Sequence, residues 1–417
     1  RRIVVLDEAE VAEVSDSGYT ITDLAGKPKT RDVLHVDWDA ESAEKGGYPH
    51  FFVKEIFEQP ASLSRALQGR VFASSEGATL RLAELDKLTA SGALADVRRI
   101  TILGCGSSVH AAMMARYAME RWTRLPVEVA IASEYRYADP IVGPGTLVIS
   151  VTQSGETADT LAATRLAREH GAPVIAVTNV VGSAITRNAD AVLYLQAGPE
   201  ISVTATKTFV TTATVLTLAA LWLGRFTGAL HPMDSSATAA ELLALPGKMQ
   251  RTLEMCQAEE AHLRAVAEQI AACNSCMFIG RGAGFPLAAE GALKLKEISY
   301  VHAEAYAAGE LKHGPIALLD PRVPLFAMAL RSRTYDKLIS NVQEVRARDA
   351  RVIVVATEGD EGIRRHADEV FYVPDASEAL SGLLGIVPLQ LLSYYVALAR
   401  GCDVDQPRNL AKSVTVE

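Results

Sequence analysis

One plan of strand, glycine turn and helix occurs twice in this chain. RRITILGCGSSVHAAMMARYAME (98–120) has it, and CMFIGRGAGFPLAAEGALKLKE (276–297) has it again. After the first copy come GTLVISVTQSG, a helical stretch and APVIAVTN. After the second come VPLFAMALRSR, a helical stretch and ARVIVVAT. Short apolar strands alternating with helices bury both faces of a sheet, which predicts parallel sheets with right-handed crossovers. The expected fold class is α/β, with two similar doubly wound parallel-sheet lobes at roughly 90–240 and 250–400. With the flanking segments included, the lobes are 61–245 and 246–402. A short β segment (1–36) and a polar linker (37–60) precede them, and a tail (403–417) follows.

The chain has 417 residues, more than one ordinary domain needs. With 49% hydrophobic and 22% charged residues, it can fill two cores. A net charge of -9 argues against nucleic acid as a partner. Five scattered cysteines suit a reducing compartment better than a disulfide scaffold. No signal peptide is recognised, and the opening Arg1 in strand-like sequence suggests that the natural polypeptide continues upstream. The apolar stretch 211–224 is too short to cross a bilayer, and 379–399 carries Pro388, Gln390, Ser393 and the Tyr394–Tyr395 pair. Both are expected to be buried helices, with no membrane as partner.

In doubly wound sheets, ligands bind at the carboxyl ends of the strands, near the topological switch point. VISVTQSGETADTLAA (148–163) runs through such an end and carries Thr152, Gln153, Ser154, Gly155 and Thr157; GCGSS (104–108) adds Ser107 and Ser108. Unpaired N–H groups at a helix start favour an anion. Helix capping alone could explain one hydroxyl-rich turn, but two in one lobe favour a single phosphate ester. The matching turn of the second lobe, AMALRSRTYDK, lacks the cluster. No GxxxxGK[ST] is present, and GCGSSV lacks the third glycine of a dinucleotide fingerprint, with His110 nearby instead.

Ionisable groups concentrate in AAEGALKLKEISYVHAEAYAAGELKHGP (288–315). On a helix, Glu290, Lys294 and Glu297 share a face while Lys296 points elsewhere. That face is either an acid/base pair lining a cleft or an exposed ion-pair ladder. His302 and His313 flank a helical or turning stretch, and each is either a proton shuttle or a structural histidine. No group has metal-ligand spacing. CNSC (273–276) precedes a strand and reads as structural. Cys105, at a helix start, is either reactive or a small packing residue. The tail DVDQPRNLAKSVTVE carries Arg408, Asn409 and Lys412; if it folds over the cleft, Lys412 gains a carbonyl to attack.

KGGYPHFFVKEIFEQP (45–60), GCGSS, VTQSGETADT, GALKLKEISYVHAEAYAAGELKHGP and DVDQPRNLAKSVTVE together closely resemble the glutamine–fructose-6-phosphate aminotransferase (isomerising) family. The resemblance runs along the whole chain. It implies two sugar isomerase (SIS) domains, preceded at 1–36 by the end of a glutaminase domain. The implied reaction turns fructose 6-phosphate plus ammonia, released from glutamine by that upstream domain, into glucosamine 6-phosphate. The phosphate would be held by Ser108, Thr152, Gln153, Ser154 and Thr157. Further substrate contacts are implied at Cys105, Gly106, Ser107, Val203, Ala205 and Ala411. Glu297 resembles the base that moves a proton between C1 and C2, with Lys294 assisting. His313 resembles the ring-opening histidine, contributed across a homodimer interface, and Lys412 the Schiff-base lysine. The resemblance implies no metal or cofactor and a cytoplasmic enzyme. Two departures stand out. Thr152 replaces the usual serine, and Ala205 stands where the family's GVASTK stretch has serine, here SVTATK (202–207), with Val203 and Lys207 retained. The family's nucleophilic cysteine is absent, so this chain is expected to isomerise or to use free ammonia without hydrolysing glutamine. Two alternatives remain at this point: a phosphosugar sensor without turnover, and a related isomerase or deglycase. A sensor needs the hydroxyl turns but not Glu297, Lys294 and Lys412.

Overall fold

The computed structural model describes residues 2–416 apart from Glu8, 36–43 and Glu76. Of the linker expected at 37–60, residues 37–43 lie outside the described residues. At the N-terminus, Glu10–Ser15 and Gly18–Asp23 pair antiparallel and Pro28–Lys29 completes a small sheet. The helix Phe51–Phe57 then leads into the first lobe.

The strands of the two large sheets are numbered here on their own. The first lobe contains β1 (Arg99–Gly104), β2 (Val127–Ile131), β3 (Thr146–Val151), β4 (Val174–Thr178) and β5 (Ala191–Tyr194). They lie in the order β5-β4-β3-β1-β2, all parallel, with Ile149 beside Ile102 on one side and Ile175 on the other. The second lobe contains β6 (Ser275–Gly280), β7 (His302–Ala307), β8 (Leu325–Ala329), β9 (Val352–Thr357) and β10 (Glu369–Val373). Their order β7-β6-β8-β9-β10 repeats the first arrangement. Two doubly wound parallel lobes are thus present. The interior strands β3, β8 and β9 are buried along their whole length, as a sheet covered on both faces requires.

The helical or turning stretch expected from His302 to His313 is corrected in its first half: 302–307 is the edge strand β7, and only Ala308–His313 turns, as a 3-10 segment. HAEAYA alternates alanine with larger polar residues, the period-two pattern of a strand, although only Ala303 in it is buried. The helix Pro232–Ala258 runs through the boundary expected at 245/246, with Pro246 inside it. Two helices, Lys207–Phe226 and Ser381–Ala399, are long and apolar enough to cross a membrane, and 83% of each apolar window is buried inside the protein. The first is longer than the apolar stretch 211–224 suggested. Between the lobes, Gly284–Ser299 packs on Ser107–Thr123, and this contact joins the two candidate motifs.

Candidate functional site: a cleft closed by the C-terminal tail

In the order 2-1-3-4-5, the direction of winding reverses between the first and third strands, and their outgoing loops part to leave a crevice. In the first lobe those loops are Cys105–Ser108 and Thr152–Thr157. A cleft of about 260 Å³ lies there. One turn lines it with Cys105, Gly106, Ser107 and Ser108, the other with Thr152, Gln153, Ser154 and Thr157. Val203 and Ala205 come from the loop before Lys207–Phe226, Glu297 from the second lobe, and Ala411 and Lys412 from the tail. Ala205 leaves its part of the wall without a side-chain hydroxyl.

Neither turn is explained by helix capping. Thr157 precedes the helix Ala158–Glu169 without capping it; its hydroxyl lies 2.8 Å from that of Thr152. Gly106 precedes Ser107–Thr123, again with no side-chain cap. Gly155 has φ +71°, and a Cβ there would sit 1.9 Å from Ser183 Oγ, so only glycine lets this turn close. The Ala158 N–H donates to the Val414 carbonyl at 3.2 Å, and Ser413 Oγ donates to Ser154 Oγ at 3.0 Å. The tail therefore docks directly on the hydroxyl turn.

On Gly284–Ser299, Lys294 is fully buried between Glu290 at 3.2 Å and Glu297 at 2.8 Å. The exposed-ladder alternative is excluded. Lys294 Nζ also donates to Ser107 Oγ (3.1 Å) and the Ala205 carbonyl (3.2 Å). Glu290, fully buried too, accepts from Ser107 Oγ and pairs with His110 Nδ1, both at 2.8 Å. Burial pushes the Lys294 ammonium toward losing its proton, but the two carboxylates outweigh it and the pKa rises above the usual lysine range. Burial pushes Glu290 up, while Lys294, His110 and Ser107 together hold it below the ordinary carboxylate value. Lys294 is therefore a fixed cation at neutral pH, suited to stabilising negative charge rather than to accepting a proton.

Lys412 reaches from the tail to the fully buried Glu200, which no sequence motif singled out. Glu200 also accepts from the N–H groups of Thr206 (3.0 Å) and Thr208 (3.1 Å) and from Thr208 Oγ (2.7 Å). Burial opposes its ionisation, yet Lys412 and these donors bring it down to about 2. Glu200, His110 and Ser413 are site residues whose partners lie far off in sequence; adjacency of Glu200 to SVTATK was the one local hint.

His313 lies exposed at the end of Ala308–His313 and does not line this cleft. His302 is exposed on β7 beside Glu304. Burial raises the Cys105 thiol, which sits 3.8 Å from Thr160 Oγ1; it packs and is not activated. Cys276 is buried in β6 with its thiol pushed up to about 12, mainly by desolvation, and is equally inert. In the second lobe, Arg331 and Arg333 of the corresponding turn are paired with Asp375 and Glu378.

A hydroxyl-lined crevice at the switch point, duplicated in scaffold but furnished on one side only, defines a paired doubly wound α/β protein with one furnished ligand cleft. The SIS domain profile matches residues 93–222 and 269–400. Glutamine--fructose-6-phosphate aminotransferase [isomerizing] of Symbiobacterium thermophilum is 48% identical over 417 residues, all of this chain and 67% of that protein. Its namesake from Thermus thermophilus is 46% identical with the same coverage. Among solved structures, the C-terminal domain of glucosamine-fructose-6-phosphate aminotransferase from Francisella tularensis superposes with a TM-score of 0.80 at 35% identity, covering 87% of this chain and 100% of that one. Glucosamine-6-phosphate deaminase from Thermotoga maritima shares the fold, with a TM-score of 0.65 at 22% identity, covering 87% of this chain and 99% of that one. The chain belongs to the glutamine–fructose-6-phosphate aminotransferase (isomerizing) family and carries its paired-SIS isomerase part. It spans about two thirds of the length of the curated relatives it matches.

Proposed function

We propose that this chain converts fructose 6-phosphate and ammonia to glucosamine 6-phosphate and water, with ammonia released from glutamine by an upstream domain in the complete protein. The observation that carries this reading is the convergence of Glu297 and Lys412 on one cleft with the hydroxyl turns. A phosphosugar sensor needs the turns alone.

In the proposed sequence, Ser108, Thr152, Gln153, Ser154 and Thr157 hold the phosphate, aided by N–H groups at the start of Ala158–Glu169. Cys105, Gly106, Ser107, Val203, Ala205 and Ala411 complete the sugar's surroundings. His313, supplied by a second copy of the chain, assists ring opening; its exposure, outside its own cleft, supports that assignment. Lys412 Nζ then attacks the C2 carbonyl, and water leaves as the iminium forms. Ammonia displaces the lysine. Glu297 takes the proton from C1 and returns it to C2, while the Lys294 cation stabilises the negative charge that develops. The working form is a cytoplasmic homodimer.

The test mixes the chain with fructose 6-phosphate or glucose 6-phosphate, with and without ammonium, and follows products by NMR. Sugar interconversion or glucosamine 6-phosphate formation supports the reading. Tight binding without conversion favours the sensor.

A further inference from the structure

Behind the Lys412–Glu200 pair lies a second carboxylate that does not line the cleft. Glu55, on the helix Phe51–Phe57, is 1% exposed. Its Oε1 accepts the N–H groups of Ile201 and Ser202, the latter at 3.2 Å. Among the described residues, its Oε2 is buried without a hydrogen-bond partner. The same helix holds the tail: the N–H groups of Phe51 (3.0 Å) and Phe52 (2.9 Å) donate to Asp405, whose own carbonyl accepts the Val203 N–H at 3.0 Å. One short helix thus fixes both the sugar-facing loop and the segment that carries Lys412.

We propose that Glu55 is a positioning residue for Lys412, acting through Glu200: its side chain pins the loop at 201–202, and its proton sets how tightly the Glu200 carboxylate holds the Lys412 ammonium. This inference rests on the Schiff-base assignment of Lys412.

The charged groups around Glu55 are few. Glu200 precedes the pinned loop, Lys412 comes from the tail, and Lys207 opens the helix Lys207–Phe226 but is engaged by Glu58. On Glu55's own helix, Lys54 pairs with Glu58 at 3.4 Å. Two carboxylates therefore face one available ammonium. Burial and the neighbouring Glu200 push Glu55 up to about 8, so near neutral pH it is protonated and Glu200 alone opposes Lys412. Linkage is reciprocal: since the Lys412 charge favours ionised Glu55, ionised Glu55 equally favours the Lys412 ammonium. A second negative charge would hold the Lys412 ammonium more tightly and hinder its attack. For imine formation, the ammonium gives a proton to solvent, the amine adds to C2, and a proton taken back from solvent leaves with the C2 hydroxyl as water. Protonated Glu55 keeps the local charge balance that permits this exchange.

The experiment is borohydride trapping of the chain with fructose 6-phosphate from pH 6 to pH 10, reading reduced adduct on Lys412 by mass spectrometry. Sugar-phosphate affinity is measured alongside by calorimetry. In the unaltered chain, the rise of trapping with pH is expected to flatten near pH 8. Glu55→Gln should bind fructose 6-phosphate within about twofold, yet trap about threefold more at pH 9. Superimposable trapping profiles at equal affinity would overturn the proposal. Loss of both binding and trapping would make Glu55 merely structural and overturn it too. If Glu55→Gln does not fold, the profile of the unaltered chain decides: a bend near pH 8 supports the inference and a steady rise refutes it. Tight binding with no adduct at any pH would instead remove the Schiff-base assignment itself.

Discussion

Removing the Lys294 ammonium while keeping its stem, as in Lys294→Met, probes the centre of the site. The ammonium sits 3.2 Å from Glu290 and 2.8 Å from Glu297, with no solvent access. At an effective dielectric near 20, each contact amounts to about 5 kcal/mol of attraction, much of it offset by the desolvation of the three charges. What remains after deleting one partner is an uncompensated buried charge, which costs about 3–5 kcal/mol. The sign with pH follows from Glu290. In the unaltered chain its pKa lies below the ordinary 4.5, so its stabilisation is full above that value and lost as pH falls. Without Lys294, burial dominates and the pKa moves above 4.5. The variant's deficit is then largest in alkaline solution and shrinks toward pH 5, where Glu290 takes up a proton. Urea unfolding at pH 8 and pH 5 reads this directly. The double variant Glu290→Gln, Lys294→Met removes both charges and should recover most of the loss at pH 8. Equal deficits at the two pH values, or a double variant no more stable than the single one, would refute the argument.

Other expectations follow from the same geometry. Glu297→Gln should lower turnover by about 10²–10⁴-fold while fructose 6-phosphate still binds; turnover near that of the unaltered chain in an NMR assay would remove its role as base. Ser154→Ala combined with Thr157→Ala should weaken calorimetric binding of the phosphorylated sugar at least about tenfold, since hydrogen bonds to charged groups contribute roughly 1.5–3 kcal/mol each. Unchanged affinity would dismiss the phosphate assignment. Gly155→Ala forces a side chain onto Ser183 at positive φ; a loss of about 1–3 kcal/mol in stability with weaker sugar-phosphate binding is expected, and a neutral result would show that the turn relaxes freely. Glu55, with its folded pKa raised from 4.5 to about 8, contributes stability that is present below pH 4.5 and lost as pH rises to 8. Glu55→Gln should accordingly be at least as stable as the unaltered chain at pH 8 in thermal unfolding, and a lower midpoint there would contradict this.

Much of this protein is local in origin and was legible in the sequence. Strands such as TLVISV and VIVVAT are continuous apolar runs because both faces of a parallel sheet are covered. The glycine and hydroxyl turns follow them at once, so their place at strand ends is set by chain order alone. Glu290, Lys294 and Glu297 share a face by helical spacing. The edge strands β2 and β7 escaped notice because their mixed burial erases the apolar run. The helix Pro232–Ala258 escaped the domain division because it belongs to the packing of both lobes. What only the tertiary structure decided is which charges meet. Lys412 finds Glu200, Ser107 and His110 find Glu290, and Glu55 reaches the loop after Glu200. Each pair joins segments far apart in the chain, and the cations and donors that meet a buried carboxylate determine whether it sits near 2 or near 8. Spacing within a segment encodes a shared face, but no spacing encodes the partner on another segment or the loss of solvent around it.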